Sequence, residues 1–160
     1  MRNIKIVYQY DGSKYYGFQR QKNKDTVQGD IEKIVFSKFN EKINMTSSGR
    51  TDRGVHALGQ VSNFSISKKI PLDAIKQQIN KTLRGRVKIL SIEEIRENFN
   101  ARFDAKRRTY LYVLKNESKI TPFEAPYVTS IKEEIDVDKL QLIFQPFIGE
   151  HDFSSFAKKD

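Results

Sequence analysis

The sequence predicts an α+β chain: a first unit over residues 1–98 with two helices on one face of an antiparallel sheet, then the start of a second α+β unit over residues 99–160. Two observations predict it. Apolar residues alternate between a two-residue and a 3.6-residue period in the order strand, helix, strand, strand, helix, strand up to residue 95. Beyond Asn98 the pattern restarts with a strand and a single helix, too little to cover a sheet by itself.

The elements follow in order. NIKIVYQY (3–10) alternates as a strand, with Ile4, Ile6, Tyr8 and Tyr10 on one face. DGSKYYGFQRQ follows as a loop rich in Gly, aromatic and basic residues. Thr26 is placed to cap a helix from Val27 to about Asn40, where Val27, Ile31, Ile34 and Val35 recur at helical spacing. Val35, Phe36 and Phe39 read as core. Residues 42–47 read as a second strand, 60–67 (QVSNFSIS) as a third and 87–95 (VKILSIEEI) as a fourth. Pro71 suits the first turn of a second helix that presents Ile75, Ile79 and Leu83. In the second unit RRTYLYVLK (107–115) reads as a long strand. Asp136 caps a helix with Leu140, Ile143, Phe144 and Phe147 inward, ended by Pro146 and Gly149.

The first unit's order is that of a ferredoxin-like or RRM-like split βαβ domain. RRM domains bind RNA on the open sheet face, but their aromatic signature on a central strand is missing here. Composition narrows the partners. The net charge of +9 lies entirely in residues 1–105, which hold 20 Lys and Arg against 11 Asp and Glu, while residues 106–160 hold nine of each. An asymmetric basic surface fits a polyanion such as nucleic acid. No cysteine is present, which excludes disulfide and thiolate chemistry, and His56 and His151 lack metal-ligand spacing. No apolar run is long enough to span a membrane, and the N-terminus alternates like a strand rather than a signal peptide. A cytoplasmic location is expected.

GRTDRGVHA (49–57) is the most informative stretch. Two arginines, Arg50 and Arg53, flank Asp52 between Gly49 and Gly54. The glycines permit a tight turn and a close approach to a ligand. The arginines can fork onto phosphate, and their charge favours an ionised carboxylate, the form a nucleophile or base requires. The plainer alternative is a turn aspartate bonded to its own backbone. A Ser48–His56–Asp52 triad is disfavoured because no nucleophile-elbow pattern is present.

GRTDRGVHA resembles the catalytic motif of the TruA family of tRNA pseudouridine synthases. YDGSKYYGFQRQ (10–21), FNARFDAKRRTYLY (99–112) and GEHDFSSFAK (149–158) resemble three further motifs of that family, in the family's order. The resemblance implies a pseudouridine synthase fold and a cofactor-free, metal-free isomerisation of uridine in the tRNA anticodon stem-loop, at positions 38 to 40. Asp52 is then the essential carboxylate. Attack on the base, attack on the sugar and abstraction of a sugar proton all stay open.

The resemblance also assigns the neighbours. Arg50 matches the arginine associated with extruding the target base, a step any such chemistry requires. A phosphate clamp or a salt bridge to Asp52 is its alternative. Tyr110 matches the active-site tyrosine, able to stack on the flipped uracil or move a proton. Strand packing is its alternative. Gln19, Arg20, Gln21, Phe99 and Arg102, with Arg53, are candidates for tRNA contact. His56 and His151 are expected to fix their loops. Family members extend beyond DFSSF, so the chain is expected to be truncated from a longer homodimeric protein. The competing readings are a non-catalytic RNA-binding module, an inactive fragment of the synthase and a basic structural or ribosome-associated protein.

Overall fold

The computed structural model describes residues 1–157. It divides into two compact units, Met1–Leu111 and a second from Tyr112 onward. In the first, β1 (Arg2–Tyr10), α1 (Val27–Phe39), β2 (Thr46–Ser47), β3 (Ala57–Ile66), α2 (Leu72–Thr82) and β4 (Val87–Ile95) succeed one another. The strands form one antiparallel sheet in the order β2-β3-β1-β4. Period-2 alternation sends Ile4, Ile6, Tyr8 and Tyr10 of β1 to one face, where they pack with Phe64 and Ile66 of β3. Ile31 and Val35 of α1 and Ile75 and Ile79 of α2 complete that core, all essentially inaccessible to solvent. Each such side chain contributes roughly 1.5–3 kcal/mol on burial.

Caps set the helix limits. The Thr26 side chain accepts from the Gly29 N–H at the start of α1, and Asn40 ends it in the left-handed conformation. Pro71 sits one position earlier than expected, at the N-cap of α2 rather than inside its first turn. Phe36 is 53% exposed: it lies off the stripe formed by Val27, Ile31, Ile34 and Val35, so it is surface rather than core. The second strand is shorter than its sequence suggests. Ile43 and Met45 are buried like strand residues, yet only Thr46 and Ser47 pair with β3.

Residues 99–111 belong to the first unit. Asn3 and Asn63 are diagonal neighbours on β1 and β3, and Asn63 Nδ2 donates a hydrogen bond to Asn3 Oδ1 at 2.9 Å. Asn3 Nδ2 donates to the carbonyls of Arg96, Glu97 and Phe99, while Asn63 Oδ1 accepts from the Ala101 N–H. These two side chains satisfy backbone groups that a loop running over a sheet would otherwise leave unpaired.

In the second unit β5 (Leu114–Asn116) pairs in parallel with β6 (Thr129–Ile131), and α3 (Val137–Phe144) follows. Of the long strand expected over 107–115, only the end pairs: the strand begins at Leu114. Asp136 caps α3 as expected, its carboxylate accepting from the Lys139 N–H. The apolar face of α3 does not turn inward. Ile143, Phe144 and Phe147 are 53%, 55% and 42% exposed, because one short helix and a two-stranded ladder supply too little surface to cover them. The motif at 149–158 ends at Lys158, which lies outside the described residues.

Candidate active site

The segment Ser48–His56 links β2 to β3 and carries Asp52, exposed, at the first position of the Asp52–Val55 turn. Hydrogen bonds hold it on both sides of that turn. On the β2 side the Ser48 N–H donates to Val61 O, the Ser48 hydroxyl donates to Gln60 Oε1 at 3.0 Å, and Gln60 Nε2 donates to Gly49 O at 2.6 Å. At the turn the Val55 N–H donates to Asp52 O, and Gly54 adopts φ +84°, a conformation that costs a glycine little. On the β3 side His56 Nδ1 lies 3.1 Å from the Gly12 N–H and 3.1 Å from the Asp11 carboxylate.

The segment DGSKYYGFQRQ is the other half of this construction. The Phe18 N–H donates to Thr51 O, and the buried Tyr10 hydroxyl lies 2.8 Å from Thr51 Oγ1. Burial pushes the Tyr10 phenol up from its ordinary pKa, with the Thr51 contact opposing the shift, so the ring stays neutral and serves as a hydrogen-bonding strut. Gly12 is required by close approach: a Cβ there would stand 2.0 Å from Val55 O. Two motifs distant in sequence therefore form one rigid cradle that leaves the Asp52 side chain exposed.

The flanking arginines do not grip Asp52. Among the described residues no guanidinium lies within 4.0 Å of its carboxylate. Arg53 stacks over the Tyr16 ring at 4.8 Å, a cation–π contact. Arg50 turns into a cleft of about 270 Å³ whose wall also includes Phe18, Gln19, Arg20, Gln28 and Arg102. Gln19 and Arg20, Arg50 and Arg102, from three separate segments of the sequence, thus meet at one depression. Phe99 sits elsewhere, with the Lys5 ammonium 6.0 Å from its ring centre. Gln21 is exposed and donates to Tyr16 O. Tyr110 is 70% exposed in the unpaired stretch that ends the first unit.

No Ser–His–Asp triad assembles, since Ser48 is committed to Gln60 and His56 to the Asp11–Gly12 turn. His56 fixes its loop, and His151 does the same locally through Ile148 O at 2.8 Å. Two contacts escape the sequence reading, in which Arg108 is only part of a basic run, Lys106–Arg108, favouring a site next to phosphate. Arg108 sends Nε to Ser48 O at 2.7 Å, so its charge clamps the motif backbone. Glu32, buried on α1, takes Arg20 at 2.6 Å. Its signal was available: Gln28 and Glu32 stand at i,i+4 spacing beside the apolar stripe of α1.

The family described as tRNA pseudouridine synthase matches residues 6–104, which hold the sheet except the first residues of β1, both helices, the cradle and every cleft residue. The chain belongs to the tRNA pseudouridine synthase family. Relatives span the whole sequence. A "tRNA pseudouridine synthase A" of Caldicellulosiruptor bescii is 41% identical over 160 residues, covering 100% of this chain and 66% of that protein. Proteins of the same name from Dictyoglomus thermophilum and Brachyspira hyodysenteriae are 43% and 42% identical, covering 98% and 100% of this chain and 65% of each relative. This member of the family therefore spans about two thirds of the length of the relatives it matches. Among the described residues no helix is long and apolar enough to cross a membrane.

Proposed function

We propose that the protein isomerises uridine to pseudouridine in tRNA, with Asp52 as the essential carboxylate and the anticodon stem-loop, positions 38 to 40, as its target. One observation carries the assignment: Asp52 stands exposed at the start of a turn in a loop whose backbone is fixed on both sides by the segment that follows β1. A carboxylate that only shaped a turn would need no such support.

The chemistry follows from the parts. The target uridine leaves the helical stack before a carboxylate reaches it. Arg50, exposed and turned toward the cleft, braces the vacated position or holds the neighbouring phosphate. Asp52 acts on the base or its ribose, the N1–C1′ bond breaks, and the uracil rejoins through C5 as the C5 hydrogen is released. Tyr110 stacks on the uracil, and Arg53, Arg102, Arg20, Gln19 and Phe99 contact the strand. The strand order β2-β3-β1-β4 supports reading the first unit as a ferredoxin-like split βαβ domain, with the second an incomplete companion of the pseudouridine synthase fold. The functional species is a cytoplasmic homodimer that needs no cofactor.

The test is chemical mapping of pseudouridine in unmodified tRNA after incubation with the protein. New pseudouridine confined to positions 38 to 40 is expected, and modification elsewhere would overturn the target assignment. The shorter length relative to its relatives favours one second reading, a tRNA-binding fragment without turnover. Activity gained only on adding a relative's C-terminal third would select it.

A further inference from the structure

The cleft beside the motif loop is a built structure, and its builder is Glu32. This carboxylate is buried, with 7% of its surface accessible. One oxygen, Oε2, accepts from Arg20 at 2.6 Å. The other, Oε1, accepts from Gln28 Nε2 at 2.9 Å and from the Met45 N–H at 3.0 Å. Gln28 returns a contact to the Arg20 backbone, its Oε1 accepting at 3.3 Å. One side chain thus ties the loop after β1, helix α1 and the approach to β2 into a single wall.

The charge of this depression is unbalanced. Glu32 offsets Arg20, while Arg50 and Arg102 add two exposed guanidiniums with no carboxylate on the cleft wall to offset them. The remaining polar lining, Gln19, Gln28, Asn44, Thr46 and Ser47, consists of neutral amides and hydroxyls. A wall of fork donors with neutral donors and acceptors between them fits an anion carrying sugar hydroxyls, and not a bare metal or an apolar ligand. Its volume of about 270 Å³ lies just under the usual range for a drug-sized ligand, which suits one nucleotide unit of a strand. Asp52 is not part of its wall.

We propose that this cleft is a phosphodiester subsite for single-stranded RNA, distinct from the position at Asp52, with Glu32 as the positioning residue that fixes Arg20 and Gln28 in its wall. It holds the strand next to the nucleotide that reaches Asp52, so it deepens the synthase reading and rests on it for its place in a reaction. The neutral amides explain why Glu32 is needed: an unheld Arg20 would sweep through solvent, and ordering it on binding would cost side-chain entropy.

The test is fluorescence anisotropy of a labelled five-residue oligouridylate with the full chain across a salt series. Arg102→Ala is expected to weaken binding on the order of fivefold to tenfold. It should also lower the slope of log affinity against log salt by about 0.7, the loss of one single-strand phosphate contact. Arg102 is exposed, so this variant keeps the fold. Glu32→Gln keeps an acceptor for Met45 but presents an amide donor to Arg20, and should weaken binding comparably. Lys88→Ala, an exposed charge on β4 outside the cleft, should bind like the parent. No binding by the parent, or Arg102→Ala indistinguishable from Lys88→Ala, would overturn the proposal. Displacement of the oligonucleotide by an equal concentration of inorganic phosphate would also overturn it, by making this a free-phosphate site. Failure of turnover leaves the binding result untouched, so the two readings fail separately.

Discussion

The Tyr10 hydroxyl lies 2.8 Å from Oγ1 of Thr51, the residue that immediately precedes Asp52. Tyr10 ends β1, one of the two central strands, and its ring packs near those of Tyr8 and Phe18. The contact therefore transmits the rigidity of the sheet to the turn that presents the carboxylate. Tyr10→Phe keeps the ring and removes the strut. It is expected to cost about 1 kcal/mol of stability, read by urea denaturation, and to lower kcat more than it raises KM. Thr51→Ser should retain most activity, and Thr51→Val should behave like Tyr10→Phe.

Gly12 makes the second link in the cradle. A methyl group there meets the Val55 carbonyl at 2.0 Å, and that carbonyl belongs to backbone that cannot rotate away. Gly12→Ala is expected to destabilise the first unit by about 1–3 kcal/mol and to displace Val55 and His56. Thermal unfolding measures the first effect. Loss of hydrogen-exchange protection at the Gly12 and Val55 amides measures the second.

Arg108 clamps the same loop from the other side, through Ser48 O at 2.7 Å and, more weakly, Arg102 O at 3.5 Å. A lysine ammonium lacks the planar fork that reaches both carbonyls. Arg108→Lys and Arg108→Ala should both raise hydrogen exchange across residues 48–54. An unchanged exchange pattern in Arg108→Ala would mean that the clamp holds nothing.

Glu41 supplies a pH dependence of stability. The Ser67 N–H donates to its carboxylate at 2.6 Å and the Ser67 hydroxyl at 2.9 Å, and the backbone bond chiefly holds the carboxyl below its ordinary pKa. Because the folded value is depressed, the contribution is fully present above the unfolded pKa. It is lost as pH falls through the ordinary carboxylate range toward the folded value. Urea midpoints measured from neutral pH into that acid range should fall less steeply for Glu41→Gln than for the parent.

Much of the first unit was legible because its signals are local and agree with one another. The alternation of Ile4, Ile6, Tyr8 and Tyr10, the stripe of α1 and the Thr26 cap each specify their element independently. The second unit was less so. RRTYLYVLK has strand composition, yet pairing depends on a partner far along the chain, and only Leu114–Asn116 finds one. At the candidate site the residue types were readable and their directions were not. Arg53 stands one position from Asp52 but takes the Tyr16 ring, since an exposed guanidinium gains more from an aromatic face than periodicity can reveal. The meeting of Arg20, Arg50 and Arg102 depends on three separate segments converging on one cleft, a long-range outcome with no short-range signal.

The central claim is that Asp52 carries out the chemistry rather than shaping its loop. Tritium release from tRNA labelled at C5 of uridine tests it most directly, because rejoining through C5 expels that hydrogen. The protein and its Asp52→Ala variant would be assayed together, with tRNA binding followed in parallel. Release by the protein and none by the variant, at similar tRNA affinity, is the predicted result. Release by Asp52→Ala at the parent rate would contradict the account.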